Sequence, residues 1–242
     1  MIWILPLAGK GTRTNTLSEF KPFVNVNNKT IIEWFFIGIK NKIKKGDNIF
    51  FITTNYFEKK FDFKRKIKLI LKKKKIKVKI FFKFINETPN GPAYTVYSIY
   101  NEIKKSKEPC IVINSDQYID FEFPKIIKET EIYLPIHFNN HGNSSYVKID
   151  KKGKILRILE KKLISNYASS GAYIFGSVNL FKKIIRFIKI IKIKNEINMS
   201  ELINIYLKKN NKGGNTLSTL AKYDLGNVKD VKNFFIKEIE VI

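Results

Sequence analysis

Short apolar runs alternate with longer amphipathic stretches through the first half of the chain, and this rhythm restricts the possible folds more than any other feature. Strand-like segments at 2–7, 48–53, 77–84 and 110–114 are separated by helix-like segments at 30–43, 56–72 and 91–105. Apolar strands linked through helices predict a mainly parallel sheet covered on both faces, with ligands beyond the carboxyl ends of its strands. The second half changes character. Strand-like runs at 131–138, 144–149, 155–161 and 172–175 are joined by short turns such as Lys151-Lys152-Gly153-Lys154, which predicts an antiparallel extension. Helices are expected at 178–192, 200–209 and 228–238. No Gly/Ser- or Pro-rich linker divides the 242 residues, so the chain reads as one domain over 1–242.

The first strand runs straight into Ala8-Gly9-Lys10-Gly11-Thr12-Arg13, and Lys21-Pro22 follows after a polar gap. Glycine lets a main chain approach closely, so such a turn brings N–H groups and cations up to phosphates. A nucleotide is the expected ligand. The same G-x-G turn also closes ordinary β-α units, and its spacing is neither that of a P-loop nor that of G-x-G-x-x-G.

Two carboxylates extend the argument. Asn114-Ser115-Asp116 ends the strand at 110–114, placing an acid at the sheet edge where the glycine loop would hold phosphates. Mg²⁺ takes oxygen ligands of this kind, typically one or two carboxylates with phosphate oxygens and water. An Asp after a strand equally serves as a turn former or helix cap. The second acid lies in Tyr223-Asp224-Leu225-Gly226, where a turn before a helix is the alternative reading.

The formal charge of +25 raises the question of nucleic acid. Arginine, the side chain suited to bidentate base and phosphate contacts, occurs only at 13, 65, 157 and 186; every other cation is lysine. Lysine is spread over every segment together with Ile, Asn and Phe, which reads as a compositional bias and not as a binding stripe. The densest run, 59–79, is expected to be a basic helix face followed by a strand, with attraction to an anionic membrane surface as the alternative. Cys110 lies in an apolar segment and is expected to be a buried, inert thiol. Every long apolar region is interrupted by lysine, so no membrane span is expected and the protein reads as cytoplasmic.

The loop G-x-G-T-R followed by Lys-Pro resembles the signature of the sugar nucleotidyltransferases, the nucleoside-diphosphate-sugar pyrophosphorylases, and the resemblance runs in order from residue 2 to about 230. It implies a Rossmann-like, GT-A-like α/β fold. It further implies that Leu7, Ala8, Gly9, Gly11, Thr12 and Ser115 contact the nucleotide, that Arg13 holds the departing pyrophosphate and that Lys21 neutralises charge near the α-phosphate. Asp116 and Asp224 match the family's Mg²⁺ pair. Asn86 and Gly91, within Asn86-Glu87-Thr88-Pro89-Asn90-Gly91-Pro92-Ala93, fall in register with the nucleobase loop. On the acceptor side Glu160-Lys161 matches a Glu-Lys pair that contacts the sugar and its phosphate. Gly171 lies in a matching pocket stretch, 165–173, and Asn198 stands where a sugar-contacting carboxylate is often found. Ser145 replaces a usual glycine and Lys162 a usual proline, so all the departures lie on the acceptor side.

The resemblance implies transfer of a nucleotidyl group from CTP, UTP or dTTP to a phosphorylated acceptor, first of all a sugar phosphate, with Mg²⁺ as cofactor and a homo-oligomer as a compatible assembly. The chemistry needs little acid–base help, because a phosphomonoester with a second pKa of about 6 is already a competent nucleophile at neutral pH. A cytidylyltransferase acting on a phosphorylated alcohol, such as phosphocholine or a polyol phosphate, is the nearest alternative. A glycosyltransferase would be expected to show D-x-D where this chain has Asn114-Ser115-Asp116-Gln117. A basic protein binding nucleic acid or anionic lipid through 59–79 is the alternative from a different class.

Overall fold

A computed structural model describes residues 1–9, 20–191 and 196–239. β1 (Ile2–Pro6) is an apolar pentapeptide paired in parallel with β4 and β6 along its two edges, and a core packs on each of its faces. Ile2 and Ile4 point into one core and Trp3 and Leu5 into the other. A 3-10 turn (Lys21–Phe23) leads to a small hairpin, β2 (Asn25–Val26) and β3 (Lys29–Thr30), and then to α1 (Ile31–Ile39). Thr30 caps α1: its hydroxyl accepts from the Glu33 amide while Glu33 reaches back to the Thr30 amide.

β4 (Asn48–Thr54) is followed by two helices, α2 (Asn55–Phe61) and α3 (Phe63–Lys73), where the sequence suggests one. Asp62 at φ 50° breaks them, a left-handed conformation that short acids tolerate better than most residues. Phe63, Ile67 and Leu71 form the buried stripe of α3, and Lys64, Lys68 and Lys72 face out, as expected for this basic stretch. β5 (Lys79–Ile85) completes a parallel ladder in the order β5-β4-β1-β6. The next helical stretch is also divided, into α4 (Pro92–Tyr97) and α5 (Tyr100–Ile103), before β6 (Cys110–Ile113). Cys110 is fully buried, and burial pushes its thiol pKa far up, so it is an inert core residue.

Beyond β6 the sheet continues through β7 (Gln117–Phe121), β8 (Ile132–Phe138), β9 (Ser145–Ile149), β10 (Lys154–Glu160), β11 (Tyr167–Ser169) and β12 (Ala172–Phe175). α6 (Val178–Ile185) and α7 (Met199–Asn210) cover one face, followed by β13 (Gly214–Asp224) and α8 (Val228–Ile239). β12 joins the parallel part by pairing antiparallel to β6, so the full order is β5-β4-β1-β6-β12-β8-β11-β9-β10-β13-β7. The core is thus parallel with an antiparallel extension, as the alternation of strands predicts. The strand-like run at 216–222 before Asp224 is the body of β13, whereas β7 and β11 are strands that the sequence pattern does not announce.

β13 changes partners midway: residues 215–218 lie parallel to β8, and 219–224 run antiparallel to β7. Among the described residues no helix is long and apolar enough to cross a membrane.

Candidate active site

The parallel strands all end on one edge of the sheet. Gly9 follows β1, Asn86 follows β5, Asn55 follows β4 and Asp116 follows β6. Leu7 prolongs β1 by donating its amide to the Ile52 carbonyl at 2.7 Å, and its own carbonyl accepts from the Thr53 hydroxyl. Ala8 is buried, whereas Gly9 is exposed and a Cβ added there would meet nothing within 4 Å. Gly11, Thr12 and Arg13 lie outside the described residues. Asn86 is exposed and accepts a hydrogen bond from the Asn55 amide at 2.8 Å, which ties the ends of β4 and β5 together.

Asp116 and Asp224, distant in sequence, are neighbours here. Asp224 stands opposite Gln117 in the β7–β13 ladder, and the Leu225 amide donates to the Asp116 carbonyl at 2.9 Å. The Lys21 ammonium, delivered by the 3-10 turn, lies 2.6 Å from Asp116 Oδ2, and Lys222 lies 2.5 Å from Asp224 Oδ2. Burial pushes the Asp116 carboxyl up, but Lys21, by charge and hydrogen bond and with help from Lys222, holds it below the usual carboxylate range. Gly226 completes the cluster: a Cβ there would stand 3.0 Å from Lys21 Nζ and 3.1 Å from Asp116 Oδ2.

A third acid, Asp230, starts α8. Its amide and carboxylate exchange hydrogen bonds with the Asn227 side chain. Burial, then the charges of Asp224 and Asp116, raise its pKa against the pull of Lys222 and Lys21.

Asn114 and Ser115 form the wall behind these acids. Ser115 is buried, and the Asn114 amide donates to the Gly171 carbonyl at 2.9 Å. Gly171 has φ 78°, and a Cβ there would lie 3.0 Å from Asn114 Nδ2 and 3.2 Å from Gln117 Nε2. The Gln117 amide in turn donates to the Ser170 carbonyl. His137 shares a 2.9 Å hydrogen bond between Nδ1 and Ser170 Oγ, which meets Thr219 Oγ1 at 2.7 Å. Burial and then Lys222 push the His137 pKa down to about 4, against the opposing influence of Asp224, so its ring is neutral at pH 7.

The acceptor-side residues gather at a second point. Glu160, at the end of β10, accepts from the Ser145 hydroxyl and from the Ser200 hydroxyl, the latter at 2.9 Å. Tyr173 lies among the same groups, and burial together with the Glu160 charge raises its phenol to about 12, keeping it a donor. Lys161 is exposed in a left-handed turn at φ 51°, its amide fixed to the Ser144 carbonyl. Asn198 is the N-cap of α7, its amide donating to Glu201 at 2.7 Å. Gly91 is required by the fold itself: at φ 105° it packs on the Ile197 backbone.

Among the described residues no three His, Cys, Asp or Glu side chains gather as a metal cage. Asp116 and Asp224 therefore offer two hard carboxylates only. That donor set suits a cation such as Mg²⁺ when phosphate oxygens and water complete its shell.

Sequence reasoning missed Lys222, His137 and Gln117. Lys222 precedes Asp224 by two residues, the period that puts both on one side of a strand. In a chain so rich in lysine, however, nothing distinguishes it until the strand is seen.

The family described as nucleotidyl transferase matches residues 4–238. Among solved structures, the nucleoside-diphosphate-sugar pyrophosphorylase from Vibrio cholerae RC9 superposes with a TM-score of 0.80 at 18% identity, covering 98% of this chain and 100% of that one. The inositol-1-phosphate CTP transferase from T. maritima gives 0.70 at 14% identity over 95% of this chain and 90% of that one. The CTP:phosphocholine cytidylyltransferase from Streptococcus pneumoniae gives 0.68 at 18% over 98% and 97%. At these identities the likeness speaks to the fold. Comparison with curated proteins gives no match.

Proposed function

The chain belongs to the nucleotidyl transferase family, and from that premise we propose that it joins a nucleoside triphosphate to a phosphorylated acceptor, first of all a sugar phosphate, with release of pyrophosphate. The observation that carries this reading is the meeting of Lys21, Asp116 and Asp224 on the sheet edge where β1 also ends.

In this reading an oxygen of the acceptor phosphate attacks the α-phosphorus, a new P–O bond forms and the bond to the β-phosphate oxygen breaks. The main task is to bring two anions into line and cancel their repulsion. Lys21 would neutralise charge at the α-phosphate, and Arg13 with the amides of the 8–12 turn would hold the departing pyrophosphate. Leu7 and Ser115 would shape the nucleotide side, and Asn86 with Gly91 would meet the base. Asp116 and Asp224 would hold Mg²⁺, which supplies charge cancellation between the phosphates. Lys161 would grip the acceptor phosphate, and Glu160, Gly171 and Asn198 would line the rest of that pocket. A cytoplasmic location and a homo-oligomeric assembly fit this reading.

A second acceptor class is favoured by one observation. Glu160 is already engaged by Ser145 and Ser200, so it has less capacity left for sugar hydroxyls than a free carboxylate. A phosphorylated alcohol such as phosphocholine or a polyol phosphate, used with CTP, would need fewer such contacts. Pyrophosphate release measured with Mg²⁺ over CTP, UTP and dTTP against sugar phosphates and phosphorylated alcohols tests both. No turnover with any pair would overturn the proposal.

A further inference from the structure

Both carboxylates of the candidate metal pair are occupied by lysine. Lys21 and Lys222 have side chains only 22% and 10% exposed, and each ends on an Oδ2 atom, of Asp116 at 2.6 Å and of Asp224 at 2.5 Å. Lys222 also acts on Asp116 through its charge, and both lysines act on Asp230, so the two ion pairs form one electrostatic cluster. Each lysine sits on one oxygen of its carboxylate, and a dication entering this cluster alone would compete with both ammonium groups for their partners. Their short reach to solvent would leave them enclosed and facing a charge of their own sign.

Resting on the reading of Asp116 and Asp224 as metal carboxylates, we propose that Lys21 and Lys222 are resident counter-ions of this pair that weaken its hold on a lone divalent cation, and that a polyphosphate whose oxygens take over both ammonium groups restores that hold. Lys222 then becomes a second phosphate-binding cation beside Lys21, one assigned by its place on β13. Metal and polyphosphate affinities are coupled, and each strengthens the other by the same factor.

The test is Mn²⁺ binding to the purified protein, followed by the loss of its free electron paramagnetic resonance signal, with no phosphate present. Lys222→Met keeps the length of the stem and removes the competing charge, so it should tighten Mn²⁺ binding at least tenfold; Lys21→Met should do the same independently. Lys222→Arg should behave as the natural chain. In the presence of saturating metal, Lys222→Met should weaken nucleoside triphosphate binding at least tenfold, a shift opposite in direction to that for the metal alone. A merely structural lysine would weaken both. Weaker or unchanged Mn²⁺ binding in both methionine variants would overturn the counter-ion proposal. Mn²⁺ binding by Lys222→Met that survives the addition of Asp116→Asn and Asp224→Asn would instead overturn the metal reading on which it rests.

Discussion

The backbone of Ile197 passes so close to Gly91 that a Cβ on Gly91 would stand 2.5 Å from the Ile197 nitrogen and 2.6 Å from its oxygen. The Ala93 amide and the Asn90 carbonyl bond to the same residue, so the loop after β5 and the start of α7 are one unit. Gly91→Ala should therefore destabilise the fold by about 2 kcal/mol or more, from positive φ and collision together. Gly9, with open space around it, offers the contrast: Gly9→Ala should leave stability within about 0.5 kcal/mol while raising the KM for nucleoside triphosphate. Denaturant midpoints and initial rates on the two variants check the pair.

Asp116→Asn and Asp224→Asn should each lower kcat by a hundredfold or more while circular dichroism shows the fold largely intact, because both residues lie at the open edge of the sheet. Full turnover in either variant would remove that residue from the catalytic assignment.

Much of this arrangement can be read in the sequence, for a physical reason. β1, β4 and β6 are buried on both faces and are written as unbroken apolar runs, and Thr30 and Glu33 announce the start of α1. β13 is different. Its residues are mostly half-exposed and it changes partners at Thr219, so the strand-like run at 216–222 can be read but neither its length nor its two partners can. Asp224 could be matched by its neighbours Leu225 and Gly226, but its proximity to Asp116 is a property of the ladder. The break at Asp62 is equally silent, since a single left-handed residue leaves the apolar spacing intact on either side.

His137 gives the protein a signature in acid. Its pKa is near 4 in the fold and 6.5 when unperturbed, so between these values the unfolded chain binds more protons. Stability must then rise with pH across that window and fall as pH drops from about 6.5 toward 4, with a slope of at most about 1.4 kcal/mol per pH unit from this one site. His137→Asn should flatten the slope between pH 6.5 and 5 in denaturation measured at stepped pH. An unchanged slope would show that the ring titrates alike in both states.

Lys161 is exposed, so Lys161→Ala should leave the thermal midpoint unaltered while raising the acceptor KM, with nucleoside triphosphate KM unaffected. Equal acceptor kinetics would remove it from the acceptor site.

The outward lysines of α3 offer a check on the reading of the charge. Replacing Lys64, Lys68 and Lys72 together with Gln should keep kcat within a few-fold, since they are exposed and lie outside the buried stripe of Phe63, Ile67 and Leu71. Tight binding to RNA, duplex DNA or anionic vesicles at physiological salt, lost in this variant, would favour the basic binding protein instead.

The two-partner strand β13 also sets an order of assembly during synthesis. The parallel half, from β1 to β6, comes from the first 113 residues and its strands can pair as they emerge. Asp224 reaches Asp116 only after β7, already made, has waited through the synthesis of five further strands and two helices for its partner. A chain stalled on the ribosome before residue 224 would carry Lys21 and Asp116, folded and paired, yet have nothing to set beside them. Under the proposed reading of Asp116 and Asp224, chemical competence is then among the last properties the nascent chain acquires.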